Sequence, residues 1–411
     1  MNGAFRFAVG ETLRCTLSKT LRCTSSKTLR CTSSKTLRFS IFSAIAMVCF
    51  SCSSRNLRPD FKNQGEILRR QWTYSFEPLS SSLPLEQVEY VSPVLYENTL
   101  LFGSDRFGII SLYPKIERVR WKIEIPNGMV SQIEVHGDAA FFTGGDGNVY
   151  SVQLDTGKTL WTYALRNPVA SRPTIDGEDL YIVTSDDALL SLEAKTGKWQ
   201  WHYRRRNVSG PVIHGACKPL VIGDSVWVGF ADGTLANVSR KDGKVLWERK
   251  LNSNKRFSSI DAEFLKVDNT VYVPAYDNAL YALDARTGSP IWVKEDIGGS
   301  KQVTLVDGVL YAPSSNGNLY ALDAKTGTEI WHFELDQGIP SNVVVTAKHV
   351  IFASSSEYLY ALDRTTGKMV YRYQVGYGSG FSGGIAFDTS RNQLFALSRG
   401  GNLMSFLYSG K

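Results

Sequence analysis

Histidine and cysteine are both scarce in this 411-residue chain, and each scarcity closes off chemistry. The five histidines stand at positions 136, 202, 214, 332 and 349. None of those spacings is the close pairing that zinc sites need. Of the six cysteines, Cys217 alone lies beyond position 52, so an intramolecular disulfide has only Cys52 to draw on. No Gly-x-Ser-x-Gly elbow stands out with a matching acid and histidine. Gly378-Ser-Gly-Phe-Ser-Gly383 satisfies a dinucleotide fingerprint as a string. It opens no helix, so it lacks the aligned amides that hold a pyrophosphate and reads as a glycine-rich connection. Asp146-Gly-Asn and Asn316-Gly-Asn lack the further ligands of a calcium loop and read as hairpin turns.

Surplus charge is missing as well, once it is located. The formal net charge is +7. Eight of the 46 basic residues and one of the 39 acidic ones, Glu11, fall within residues 1–51, which leaves 38 of each sign in 52–411. The main body therefore offers no footprint for a polyanion, and nucleic-acid binding is not expected.

The first 51 residues read as a leader. Lys-Thr-Leu-Arg-Cys-Thr-Ser-Ser recurs there, with Cys15, Cys23 and Cys31 eight residues apart. A repeated coding tract ahead of the true start explains this better than metal binding, since ligands spaced by eight cannot pair closely. Lys35 and Arg38 then precede an apolar run from Phe39 to Phe50, broken only by Ser40 and Ser43. Twelve helical residues span about 18 Å, short of a ~30 Å hydrocarbon core. Charge, a short apolar run and a small residue make a secretory signal. Cys49-Phe50-Ser51-Cys52 resembles a bacterial lipobox, with Ser51 and Cys52 matching and Phe50 and Cys49 departing from it. Cys52 is the expected lipidation site, and 52–70 the expected lipid-proximal tether.

A strong repeat follows. Tryptophans stand at 72, 121, 161, 201, 247, 292 and 331, and Tyr371 continues the series. A turn precedes most of them: Asp155-Thr-Gly-Lys, Lys195-Thr-Gly-Lys, Lys241-Asp-Gly-Lys, Arg286-Thr-Gly-Ser, Lys325-Thr-Gly-Thr and Thr365-Thr-Gly-Lys. Ahead of the turn lies an alternating strand such as Leu319-Tyr-Ala-Leu-Asp323. Each unit thus holds four short strands and no helical periodicity. A lone small sheet cannot bury both faces, whereas sheets stacked around an axis can, with each indole filling the gap to the next blade. The count gives an all-β, eight-bladed β-propeller over 71–411. Three strands in Phe381–Tyr408 supply the last blade, and the N-terminal strand around Trp72 completes it.

Leu-Tyr-Ala-Leu-Asp-x-x-Thr-Gly-x-x-x-Trp resembles the repeat named after pyrroloquinoline quinone. Quinoprotein dehydrogenases form one branch of that family, and cofactor-free lipoproteins of the BamB type form another. Adjacent cysteines, a mark of many of the dehydrogenases, are absent. Blade number, length from Cys52 and the lipobox favour the BamB branch. So does Gly229-Phe-Ala-Asp-Gly-Thr-Leu, followed by Gly243-Lys-Val-Leu-Trp and Ser259-Ile-Asp261. In that family two loops contact the periplasmic repeats of the barrel-inserting protein BamA. The resemblance places Tyr203, Arg205 and Arg206 on one loop and Asp261 on the other, with Ser259 where the family has its first aspartate. It implies a non-catalytic, monomeric scaffold without cofactor or metal, lipid-anchored at the periplasmic face of the outer membrane. Its implied partners are a BamA-like protein and unfolded outer-membrane clients. A quinone-dependent oxidoreductase, or a propeller that binds another envelope protein or a glycan, are the alternatives.

Overall fold

The computed structural model describes residues 62–75, 91–104, 108–165, 171–205, 217–251, 258–376 and 380–410. Among the described residues there is no helix, and every strand belongs to one of eight four-stranded antiparallel sheets. Blade one spans 94–123, blade two 134–164, blade three 174–204 and blade four 220–250. Blade five spans 265–295, blade six 304–334 and blade seven 340–374. Blade eight takes three strands from 385–408, and its fourth is Leu68–Ser75, paired along its length with Asn402–Tyr408. The expected architecture, an eight-bladed β-propeller, is what the chain forms.

One unit shows why. In blade six, Thr304–Val306, Val309–Pro313, Asn318–Asp323 and Glu329–Glu334 pair in sequence order. The middle strands carry Leu310, Tyr311, Leu319 and Leu322, all essentially buried. At Lys325-Thr-Gly, Asp323 Oδ1 accepts from the Lys325 and Thr326 amides and from the Thr326 hydroxyl. Gly327 closes the turn at φ +71°, a conformation glycine takes without steric cost. The pairing register of the last two strands then slips between Ala321 and Leu322, leaving Ile330 as an extra residue beside Trp331. That bulge twists the outermost strand and aims the indole at the next blade.

The expected role of the anchors is what the structure shows. A Cβ on Gly157, Gly197, Gly243, Gly288, Gly327 or Gly367 would strike the indole of Trp121, Trp161, Trp201, Trp247, Trp292 or Trp331 respectively, each from the preceding blade. Glycine at that corner is therefore required twice, by φ and by the ring against it. Indole N–H groups also donate across the seams: Trp121 to the Leu154 carbonyl (2.7 Å), Trp161 to Ala194 (2.9 Å) and Trp331 to Arg364 (3.2 Å). The cores lie between blades: one joins Tyr311 and Trp331 of blade six with Val350, Phe352 and Tyr360 of blade seven.

Two details differ from the sequence reading. The N-terminal strand begins at Leu68 rather than 71, so the end of the stretch expected as tether already belongs to the propeller. Upstream, the Asn63 side chain bonds the Arg372 amide and carbonyl (2.9 and 3.1 Å), and Gln64 N–H donates to the Val370 carbonyl (2.9 Å). These residues extend the outer edge of blade seven, because an extended segment satisfies the unpaired edge of an outermost strand.

Candidate functional site

Tyr203 and Arg205 end the outermost strand of blade three and the segment after it, while Asp261 precedes blade five. Arg206 and Cys52 lie outside the described residues. The turn Phe230–Gly233 in blade four meets Tyr203 and Arg205 on one side and the Ser258–Ile260 segment leading to Asp261 on the other. Arg205 Nη1 bonds Asp232 Oδ1 at 2.6 Å and its guanidinium lies 5.5 Å over the Phe230 ring. The Tyr203 ring lies 6.0 Å from the same phenyl, and its hydroxyl donates to Glu248. From the other side, Ser258 Oγ donates to the Asp232 carbonyl (2.8 Å) and Ile260 N–H to the Phe230 carbonyl (3.1 Å). Ile260 fits there because Gly229 has no side chain: a Cβ would lie 2.4 Å from its Cγ2. Asp261 pairs with Lys301, whose ammonium lies 5.3 Å over Tyr276. Ser259, at the family's first-aspartate position, is buried.

The electrostatics follow from partial burial against opposite charge. Burial works to raise the Asp232 carboxyl, but the Arg205 hydrogen bond and charge outweigh it and hold the group below the usual carboxylate range. Burial likewise opposes the Arg205 cation, and Asp232 and Glu248 more than compensate, raising its pKa. Burial and the bond to Glu248 push the Tyr203 phenol up. Arg205 is thus a tied cation, its side chain only 14% exposed, that fixes the shape of the face. Arg204 is the more exposed neighbour, at 56%, and pairs with Asp186.

Glu248 and Lys301 were not singled out by the sequence, and Phe230 and Asp232 only as part of the Gly229-Phe-Ala-Asp-Gly-Thr-Leu stretch. Asp232 carries a local signal, since its carboxylate accepts from the Thr234 amide in the Asp-Gly turn as Asp146 does from Asn148. Its pairing with Arg205 carries none, because the two belong to different blades.

The propeller axis holds a second polar cluster. First strands of neighbouring blades touch there. Arg172 of blade three reaches Glu134 of blade two (2.7 Å) and Glu263 of blade five (3.5 Å). Lys218, entering blade four, also reaches Glu134, at 3.1 Å. Among the described residues, no group of three or more His, Cys, Asp and Glu could hold a metal ion.

The family model described as outer membrane protein assembly factor BamB matches residues 108–333 and 315–406, most of the propeller. The chain belongs to the BamB family. No curated protein matches it. BamB from Moraxella catarrhalis is similar in structure, with a TM-score of 0.70 at 18% identity, covering 83% of this chain and 100% of that one. A quinohemoprotein alcohol dehydrogenase from Pseudomonas putida gives 0.67 at 12%, over 85% and 77% of the two chains. A europium-containing methanol dehydrogenase gives 0.66 at 12%, over 80% and 84%. At these identities the likeness is one of fold, shared by BamB and by quinone-dependent enzymes alike. In this chain the segments that end at Arg205 and run from Ser258 to Asp261 meet the Phe230–Gly233 turn.

Proposed function

We propose that this chain is a non-catalytic, lipid-anchored scaffold of the bacterial envelope. It assists the assembly and insertion of β-barrel outer-membrane proteins by binding a BamA-like partner. The observation that carries this reading is the convergence of the Tyr203–Arg205 segment and the Ser258–Asp261 segment on the Phe230–Gly233 turn. Two segments, one on either side of blade four, there meet on one turn, held by partly buried polar ties. Such an arrangement can present a few anchors rigidly, and pre-organisation reduces the entropy lost on binding. Arg206 follows directly on the fixed Arg205. Cys52 supplies the anchor to the periplasmic side of the outer membrane.

The quinoprotein reading meets a less suitable axis. Glu134 and Glu263, carboxylates that a quinone-bound cation could use, are engaged by Arg172 and Lys218. These residues do not fit a quinone–metal pair without losing their own ion pairs.

Co-purification from solubilised membranes tests the proposal. Wild type is expected to bring down the barrel-insertion machinery, and Arg206→Glu or Asp261→Lys to lose it while remaining folded. Unchanged capture by both variants would sink the assigned face. Tight calorimetric binding of pyrroloquinoline quinone with calcium would instead favour the enzyme.

A further inference from the structure

Blade four departs from the pattern its neighbours keep. Across its three outer strands Trp227, Asn237 and Trp247 are direct cross-strand partners, and the two indoles meet edge to face at 4.9 Å and 84°. The place of Trp227 is taken by Tyr181 in blade three, Tyr272 in blade five and Tyr311 in blade six. In those blades the anchor indole donates to the next blade's corner: Trp201 to the Arg240 carbonyl (2.9 Å), Trp292 to Ala324 (3.1 Å) and Trp331 to Arg364 (3.2 Å).

Trp247 makes no such bond to Ala285, which holds that place in blade five. Its ring is also turned. A Cβ on Gly288 would meet Cη2 and Cζ2 of Trp247, whereas the other five corner glycines face Cδ2 and Cε3. The second indole at position 227 accounts for this, since an edge-to-face pair leaves no room for the usual ring orientation.

The result is three buried polar atoms without a protein partner in one cross-strand row: Trp227 Nε1, Trp247 Nε1 and Asn237 Oδ1. Trp227 is 0% and Asn237 7% exposed. Native interiors rarely leave such groups unpaired, and three together indicate a guest. Two N–H donors and one carbonyl acceptor define what it must be: a molecule that accepts twice and donates at least once.

We propose that the seam between blades four and five contains a built hydration site, in which a buried water accepts from the Trp227 and Trp247 indoles and donates to Asn237 Oδ1. A chloride would accept from the same indoles. It would then face the Asn237 oxygen unless the amide turned to present Nδ2, so the orientation found favours water. The joint closed by water lies in the blade whose Phe230–Gly233 turn gathers the candidate partner-binding loops. The proposal itself does not depend on that function.

The test is indole N–H spectroscopy on the deuterated full chain. Trp227 and Trp247 Hε1 are expected to show cross-relaxation with a long-lived water, and Trp201, Trp292 and Trp331 to show none. Trp227→Tyr is expected to remove the water signal at Trp247 and shift its Hε1 downfield, as the N–H swings onto the blade-five carbonyl. Absence of water contacts at both indoles in wild type overturns the proposal, whether or not the variant folds. So does a shift of both peaks on titration with chloride at constant ionic strength.

Discussion

The Tyr371 hydroxyl donates to the Leu68 carbonyl at 2.8 Å, joining blade seven to the N-terminal strand that completes blade eight. Tyr371 stands where other blades have tryptophan, and its phenol does across this seam what the indole N–H does elsewhere. The bond is buried, so deleting it leaves a carbonyl desolvated without a donor. Tyr371→Phe is expected to lower unfolding free energy by about 1–3 kcal/mol. A urea midpoint equal to that of wild type would show that strand pairing alone closes the ring.

Gly197 and Gly137 separate the two reasons for glycine in these turns. Both have left-handed backbone, at φ +71° and +58°. A Cβ at Gly197 would lie 2.5 Å from Trp161 Cε3, while at Gly137 nothing lies within 4 Å. Gly137→Ala should cost about 1–2 kcal/mol, the conformational penalty alone. Gly197→Ala must also displace a packed indole, adding roughly 1–3 kcal/mol. Equal losses in chemical denaturation would mean that the indole does not wedge the corner.

The contrast between these glycines also shows what was legible beforehand. The Thr-Gly corner and the aromatic after it recur in sequence, so blade number, seam contacts and the eighth anchor at Tyr371 could be read from one chain. Asp232 was visible only within the turn stretch Gly229-Phe-Ala-Asp-Gly-Thr-Leu, and Glu134, Arg172, Lys218 and Glu263 not at all. Each of those four enters the axis from a different blade, and no local spacing links groups that only ring closure brings together. Trp227 is similar: as a lone tryptophan off the repeat it looks like core. Its effect on Trp247 depends on cross-strand register.

His349 gives the closure a pH dependence. Its Nδ1 lies 2.8 Å from the Tyr408 hydroxyl of the last strand, which also meets Thr346 Oγ1 at 2.8 Å. Burial lowers the imidazole pKa, Lys348 adds to this and Asp363 opposes it. Because the folded-state pKa is depressed, the unfolded chain binds the proton more readily. Stability contributed by neutral His349 is therefore complete above the unfolded value, near 6.5, and is lost as pH falls through it toward the folded value. Wild type should lose more stability between pH 7.5 and pH 5 than His349→Gln does. Parallel pH profiles for the two proteins would contradict this.

Arg172 provides the strongest test of the axis. Its guanidinium lies between Glu134 and Glu263, whose side chains are 17% and 23% exposed, while its own is 26% exposed. Burial acts against the cation, and the two carboxylates outweigh it, so the Arg172 pKa is raised. Replacing the cation with an apolar side chain leaves Glu134 with Lys218 alone and Glu263 without that partner. Breaking a fully buried pair costs about 3–5 kcal/mol; with residual solvent access here, Arg172→Met is expected to cost about 1–3 kcal/mol. Glu263→Gln in the Arg172→Met background should then cost less than in wild type, because the carboxylate it removes no longer has its cation. Additive losses in that double-mutant cycle would mean that the charges share the axis without being coupled.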